Sequence, residues 1–151
     1  VRTTVEGIVV SVDRVQIQQV LVNLLKNAFE SMSAADCETR EVVASCSVVE
    51  RVGRVSIVDS GAGIPKEFQK TIFDAFVTTR KEGMGMGLAI SRTIVDGHAG
   101  RIWLEQSMSD GAAFHVELPL HDASHLSAEA DVSSESDEIP VTAETAVVQE
   151  A

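Results

Sequence analysis

Between Val15 and Met32 apolar residues return every three or four positions. Ile17, Val20, Leu21, Leu24, Leu25 and Ala28 fall on one stripe, which predicts an amphipathic helix with Asp13 as its N-cap. Val1 to Val12 alternates loosely and is rich in β-branched residues, the pattern of an edge strand. Two valine-rich runs, Glu41 to Val49 and Gly53 to Val58, flank a short turn at Glu50, Arg51, Val52 and Gly53, so an antiparallel hairpin is expected whose second strand runs straight into Asp59. Gly61, Gly63 and Pro65 then break regular structure, Lys66 to Ala75 suits a short helix, and Val77 to Met86 reads as an exposed, mobile loop. Helical spacing resumes from Gly87 to Asp96 through Leu88, Ile90, Ile94 and Val95, with Gly97 or Gly100 available to close the helix at positive φ. Arg101 to Gln106 and Ala112 to Leu118 are strand-like, and Pro119 ends the second. The expected fold class is α/β: a two-layer α/β sandwich with a mixed, mostly antiparallel sheet packed on about three helices. No internal repeat of fixed period is visible.

The chain has 151 residues, of which 44% are hydrophobic and 23% charged, ordinary usage for one domain with a real core. Charge changes the picture after Leu120. Asp122, Glu129, Asp131, Glu135, Asp137, Glu138, Glu144 and Glu150 lie there without a single Lys or Arg, and that stretch also lacks aromatic residues. Residues 1–120 are therefore expected to form the domain and residues 121–151 an acidic disordered tail. The net charge of −11 argues against a broad phosphate-backbone footprint, so no nucleic-acid partner is expected. No run of about 18 apolar residues exists to insert in a membrane. Cys37 and Cys46 lack CxxC or zinc-like spacing and fit a reducing, cytoplasmic compartment. The sequence starts at Val1 rather than Met, which fits a domain truncated from a longer protein.

Three features carry candidate chemistry. On the first helix Gln16, Gln19, Asn23, Asn27 and Glu30 form a strip away from the apolar stripe. Asn is a poor helix former, and amide oxygens that ligate a hard cation such as Mg²⁺ would compensate, although the strip alone fits a wet helix face equally well. Asp59 ends a valine-rich strand and is followed by Gly61 and Gly63. A buried carboxylate there accepts hydrogen bonds only and suits an exocyclic amine such as that of adenine, with glycines letting a flat ring approach; a plain turn has the same sequence. Gly83, Gly85 and Gly87 alternate with two methionines and lead into the helix starting near Leu88, exposing backbone N–H groups suited to phosphates, with Arg80 and Lys81 just upstream as counter-charges.

Taken in order, NLLKNAFESM at Asn23 to Met32, VDSGAGI at Val58 to Ile64, IFDAFVTTR at Ile72 to Arg80 and GMGMGLAISRTIVDGHAGRI at Gly83 to Ile102 resemble the N, G1, F and G2 boxes of sensor histidine kinase catalytic domains of the GHKL superfamily. DRVQIQQVLVNLLKNA and FVTTRKEGMGMGLAISR look most like the PAS-linked, FixL-like and nitrogen-regulatory kinases, and the resemblance covers about Val10 to Leu120. It implies a Bergerat-type ATP site with Asn27 as a Mg²⁺ ligand, Asn23 near the phosphates, Asp59 on the adenine amine with Gly61, Gly63 and Ile64 beside it, and Arg80, Lys81, Gly83, Gly85, Gly87 and Leu88 in the ATP lid and the helix it leads into, which Phe73 and Phe76 anchor. It further implies a two-component kinase that passes the γ-phosphate to a histidine on its own dimerisation domain in a homodimer, and from there to a response-regulator aspartate.

The sequence departs from the family in several places. Gyrase and the Hsp90 chaperones carry a water-activating glutamate where this helix has Asn23, so efficient ATP hydrolysis is not expected. Glu30 stands where many of these kinases have a basic residue, and it is expected to face solvent or the lid. Ala112, Ala113 and Phe114 replace a Thr-containing step before the last strand, for which a water held by Asp59 could substitute. No histidine followed by an acid on a dimerising helix is present: His98 reads as a capping residue, His115 lies in a strand, and His121 and His125 lie in the tail. The acceptor is therefore expected on another segment, and no residue here is assigned as catalytic beyond Asn23 near the phosphates. Two alternatives stand beside this reading: a serine kinase or ATPase of the same fold, and a degenerate module that binds a partner without nucleotide.

Overall fold

The computed structural model describes residues 5–34, 40–78, 83–106, 111–120, 139–143 and 146–149. The long amphipathic pattern forms α1 (Arg14–Ala34) after β1 (Val5–Val10). Asp13 caps it, its Oδ1 accepting the Gln16 N–H at 3.0 Å. Ile17, Val20, Leu24, Ala28 and Met32 bury one face of α1, while Leu21 and Leu25 border it. β2 (Glu41–Val49) and β3 (Val52–Asp59) make the expected hairpin, with the turn tightened to Glu50 and Arg51 and Glu50 at φ 56°. α2 (Gly87–Gly97), β4 (Arg101–Gln106) and β5 (Ala112–Pro119) follow. One layer is the sheet β4-β5-β3-β2, whose inward residues Val42, Ile57, Ile102, Phe114, Val116 and Leu118 meet α1 and Val95 of α2.

The structure corrects several expectations. Every strand pair among the described residues is antiparallel, so the sheet is not mixed. Lys66 to Ala75 is not an α-helix but a chain of tight turns, in which Phe68, Thr71 and Asp74 each donate to the carbonyl three residues back. Two helices, not three, are thus described. Neither Gly97 nor Gly100 closes α2 in the left-handed conformation; Ala99 does, at φ 53°. Packing explains the shift, since a Cβ at Gly100 would run into the Glu117 carbonyl of β5, and the Gly100 N–H caps the Val95 carbonyl at 2.9 Å.

The tail is not structureless throughout. β6 (Ile139–Ala143) pairs with β1, and β7 (Ala146–Gln149) pairs with the free edge of β2 from Glu41 to Ala44. Both segments are short β-branched stretches within the acidic sequence, and each meets an edge that offers unpaired backbone groups. β1 is thereby part of a separate two-stranded ladder rather than an edge of the main sheet.

His98 ties the two helices together. Its Nδ1 faces the Ile94 carbonyl at 2.8 Å while its Nε2 accepts the Asp13 N–H at 3.0 Å, so Nδ1 carries the proton and the ring joins the end of α2 to the start of α1. The sheet face away from the helices is polar. There the Trp103 ring stacks on His115 with centroids 5.0 Å apart, and Arg54 binds Glu117 at 2.6 Å.

Candidate functional site

α1, the end of β3 and the start of α2 enclose a cavity of about 900 Å³. α1 contributes Asn23 and Asn27 because both stand on the face turned away from the apolar stripe, one turn apart. Asp59 enters where β3 leaves the sheet. Ser60 secures that exit: its Oγ accepts the Glu41 N–H at 2.9 Å, and its N–H donates to the Glu41 carbonyl at 3.1 Å. Gly63 and Ile64 continue the wall, and Gly83, Gly85, Gly87 and Leu88 close the opposite side. Ile72, Ala112 and Phe114 supply an apolar floor.

Asp59 is 4% exposed and its Oδ1 accepts the Gly61 N–H at 2.9 Å. Burial pushes its carboxyl pKa up, against hydrogen bonds from the Gly61 and Ala112 N–H groups and the Ser31 hydroxyl that pull it down. A carboxylate this enclosed, with donors on the protein side and a cavity on the other, is built to receive one more donor from a ligand. Gly61 itself lies behind Asp59 rather than on the cavity wall. A Cβ there would overlap the Ser31 hydroxyl and stand 2.8 Å from Asp59 Oδ1, so close approach is what requires glycine.

The first turn of α2 carries the opposite polarity. Met86 at its N-cap makes no side-chain cap bond, and Gly85, Met86, Gly87 and Leu88 at this end of the helix, where leading N–H groups lack intrahelical partners, line the cavity. Asn23 reaches across to α2, donating from Nδ2 to the Oγ of the buried Ser91 at 3.0 Å, and the missing Cβ of Gly87 leaves room for its Oδ1. Lys26 and Glu30 line the α1 side and approach each other to 3.8 Å. One cavity thus joins apolar side chains, a buried acid, two asparagine amides and the first turn of a helix.

A family model described as "Histidine kinase-, DNA gyrase B-, and HSP90-like ATPase" matches residues 12–122. The chain belongs to this ATPase family. Among its relatives, the sensor histidine kinase TmoS of Ectopseudomonas mendocina is 44% identical over 110 residues, covering 72% of this chain and 11% of that protein. The sensor protein FixL of Bradyrhizobium diazoefficiens is 45% identical over 111 residues, with 73% and 22% covered. The chain thus spans between about a tenth and a quarter of these relatives' lengths. The solved catalytic domain of the histidine kinase ThkA superposes with a TM-score of 0.61 at 38% identity, covering 72% of this chain and 68% of that one. Full-length ShkA, solved in complex with AMPPNP, superposes with a TM-score of 0.60 at 29% identity over 72% of this chain and 22% of that one. The α/β fold is that of histidine kinase catalytic domains.

Within this ATPase fold the predicted site residues divide. Asn23, Asn27, Asp59, Gly63, Ile64, Gly83, Gly85, Gly87 and Leu88 meet at one cavity. Gln16 and Gln19, from the same helical strip, are exposed outside it. Phe76 is corrected: it is 76% exposed at φ 67°, and it meets the glycine segment through its backbone, its N–H donating to the Gly85 carbonyl at 2.9 Å. Phe73 alone packs inward, edge-on to Phe114 with centroids 6.2 Å apart. Glu30, expected to face solvent or the lid, lines the cavity that the glycine segment also lines. Arg80 and Lys81 lie outside the described residues.

Sequence reasoning missed Ser31, Ser91, Lys26 and the Ala112 N–H. Ser31 was within reach, since it stands one turn beyond Asn27 on the strip already identified. Ser91 left no signal, because its meaning depends on which helix α2 packs against. Among the described residues no helix is long and apolar enough to cross a membrane, and no three His, Cys, Asp or Glu side chains gather as a metal site.

Proposed function

We propose that this chain is the ATP-binding catalytic domain of a two-component sensor histidine kinase, which binds Mg²⁺·ATP and presents the γ-phosphate to a histidine on a dimerisation domain of the same kinase. The observation that carries this reading is the convergence of Asn27, Asp59 and the Gly83–Gly87 segment on one cavity. In it, Asp59 accepts the adenine amine, Ile64 and Ile72 flank the ring, and the α2 N-terminus with Gly85 and Gly87 takes the phosphates. Arg80 and Lys81, just upstream of the glycines in the sequence, give that stretch of chain two positive charges. Asn23, held by Ser91, keeps its amide beside the phosphates.

The donor set fits a magnesium ion. Asn27 supplies a neutral oxygen of the kind Mg²⁺ accepts alongside water and substrate phosphates, and no all-protein cage is required. When bound, the ion supplies charge neutralisation for phosphoryl transfer. Everything else this chain does is positioning: it orients the triphosphate and lowers its charge, while the base for the acceptor imidazole comes from the dimerisation domain. The kinase acts as a homodimer, passes its phosphate to a response-regulator aspartate, and works in the cytoplasm where ATP is available. Residues 1–120 are the domain that performs the chemistry, and the acidic segment after it is an appendage.

Titration calorimetry of the chain with AMPPNP, with and without Mg²⁺, tests the binding half. Saturable, Mg²⁺-strengthened binding is expected, and no heat at millimolar nucleotide would leave only a partner-binding module. Labelled ATP added with the kinase's dimerisation domain tests the transfer half: acid-labile, base-stable phosphate is expected. Acid-stable phosphate would instead identify a serine kinase, and release of inorganic phosphate without labelled protein an ATPase, a reading Asn23 disfavours.

A further inference from the structure

We infer that Ser31 is a positioning residue of the nucleotide site: its hydroxyl holds the Asp59 carboxylate from the α1 side and leaves it one open acceptor position for an exocyclic amine. A carboxylate offers about four lone-pair positions. Asp59 Oδ1 accepts the Gly61 N–H at 2.9 Å, and Ser31 Oγ lies against the same carboxylate: a Cβ at Gly61 would overlap Ser31 Oγ and stand 2.8 Å from Asp59 Oδ1. With the Ala112 N–H and the Ser31 hydroxyl as its other donors, about one acceptor position is left for a ligand in the cavity that Asp59 lines. A ligand that presents a single N–H there, as adenine does, completes the set. Guanine would bring a carbonyl oxygen against the acid and leave the position unfilled.

The hydroxyl comes from α1 because β5 cannot provide one. Ala112 and Ala113 offer only backbone groups at the deep end of the pocket. Gly61 makes the arrangement possible, since any Cβ at that position would overlap Ser31 Oγ. Two residues far apart in sequence, a glycine after the acid and a serine at the end of the asparagine strip, thus answer the same missing hydroxyl. Lys26 and Glu30, both from α1, are the other ionisable side chains on the cavity wall among the described residues; β3, β5 and the glycine segment contribute none besides Asp59. Burial opposes ionisation of Asp59, and the Ser31 hydrogen bond counters it.

The inference rests on the adenine role of Asp59, so its test separates the two. The carboxyl carbon of Asp59 is titrated by NMR in the unliganded chain, and AMPPNP affinity is measured by calorimetry across the same pH range, in wild type, Ser31→Ala, Ser31→Cys and Asp59→Ala. In Ser31→Ala the Asp59 midpoint is expected to rise by about one pH unit, the equivalent of one lost hydrogen bond to a charged acceptor. The pH at which AMPPNP affinity is lost on acidification should rise with it. The weaker thiol donor of Ser31→Cys should place both midpoints between those of wild type and Ser31→Ala. An unmoved Asp59 midpoint in Ser31→Ala overturns the inference, as does an unmoved affinity profile when the Asp59 midpoint has shifted. Wild-type AMPPNP affinity in Asp59→Ala overturns the adenine assignment instead, whatever the titration shows.

Discussion

Asp59 concentrates opposing forces in one side chain. On the proposed reading, in which Asp59 accepts the adenine amine, Asp59→Ala is expected to weaken AMPPNP binding by about 1.5–3 kcal/mol, read by calorimetry. Its proton is also held more tightly in the folded chain than in the unfolded one, because burial raises the carboxyl pKa. Stability from the neutral form is therefore complete below the ordinary aspartate range and is lost as pH rises through the folded-state value. Relative to Asp59→Asn, which does not titrate, wild type should lose thermal stability as pH rises through that window; a constant difference between their melting temperatures would contradict the assignment. ATP affinity runs the other way, rising as the carboxylate forms. On the proposed reading Asn27 serves the metal rather than the base, so Asn27→Ala should chiefly abolish the strengthening of AMPPNP binding by Mg²⁺ and leave the metal-free affinity nearly intact.

At the level of elements, two glycines of the α2 region make opposite demands. Gly85 sits at φ +65°, and a Cβ there would lie 2.7 Å from both the Phe76 carbonyl carbon and the Val77 carbonyl oxygen. Gly85→Ala is expected to cost at least about 1–2 kcal/mol in a denaturant melt and to weaken AMPPNP, because the displaced backbone lines the cavity. Gly97, at the end of the same helix, has nothing within 4 Å of the added carbon. Gly97→Ala should be neutral or stabilise by up to about 1 kcal/mol, with nucleotide binding unchanged. Equal destabilisation by the two substitutions would show that the glycine segment does not depend on its left-handed turn.

For the molecule as a whole, the site depends on how α1 and α2 are held over one sheet. Val95 drives α2 into the core, Asn23 and Ser91 join the helices at the cavity, and His98 joins them again at Asp13. β6 and β7 pair with the edges of β1 and β2, whereas α1, the end of β3 and the start of α2 form the cavity. Removing residues 121–151 is therefore expected to lower the melting temperature while leaving AMPPNP affinity within a factor of about two, well under the tenfold that 1.4 kcal/mol represents. A large loss of affinity on truncation would mean that the acidic segment belongs to the functional domain.

Local periodicity made α1, α2, the hairpin and the last two strands readable, because a helix or strand with one buried face must repeat its apolar residues at its own period. The order Asn23 and Asn27, then Asp59, then three alternating glycines likewise raised the expectation of one nucleotide site, and the structure brings these residues to one cavity. What periodicity cannot state is which face meets which. The pairing of β7 with β2, the outward turn of Phe76, the left-handed Ala99 beside the tightly packed Gly100, and the meetings of Ser31 with Asp59 and Ser91 with Asn23 each depend on residues brought together from distant parts of the chain. A single hydroxyl leaves no pattern in a sequence, and packing alone turns it into part of a site.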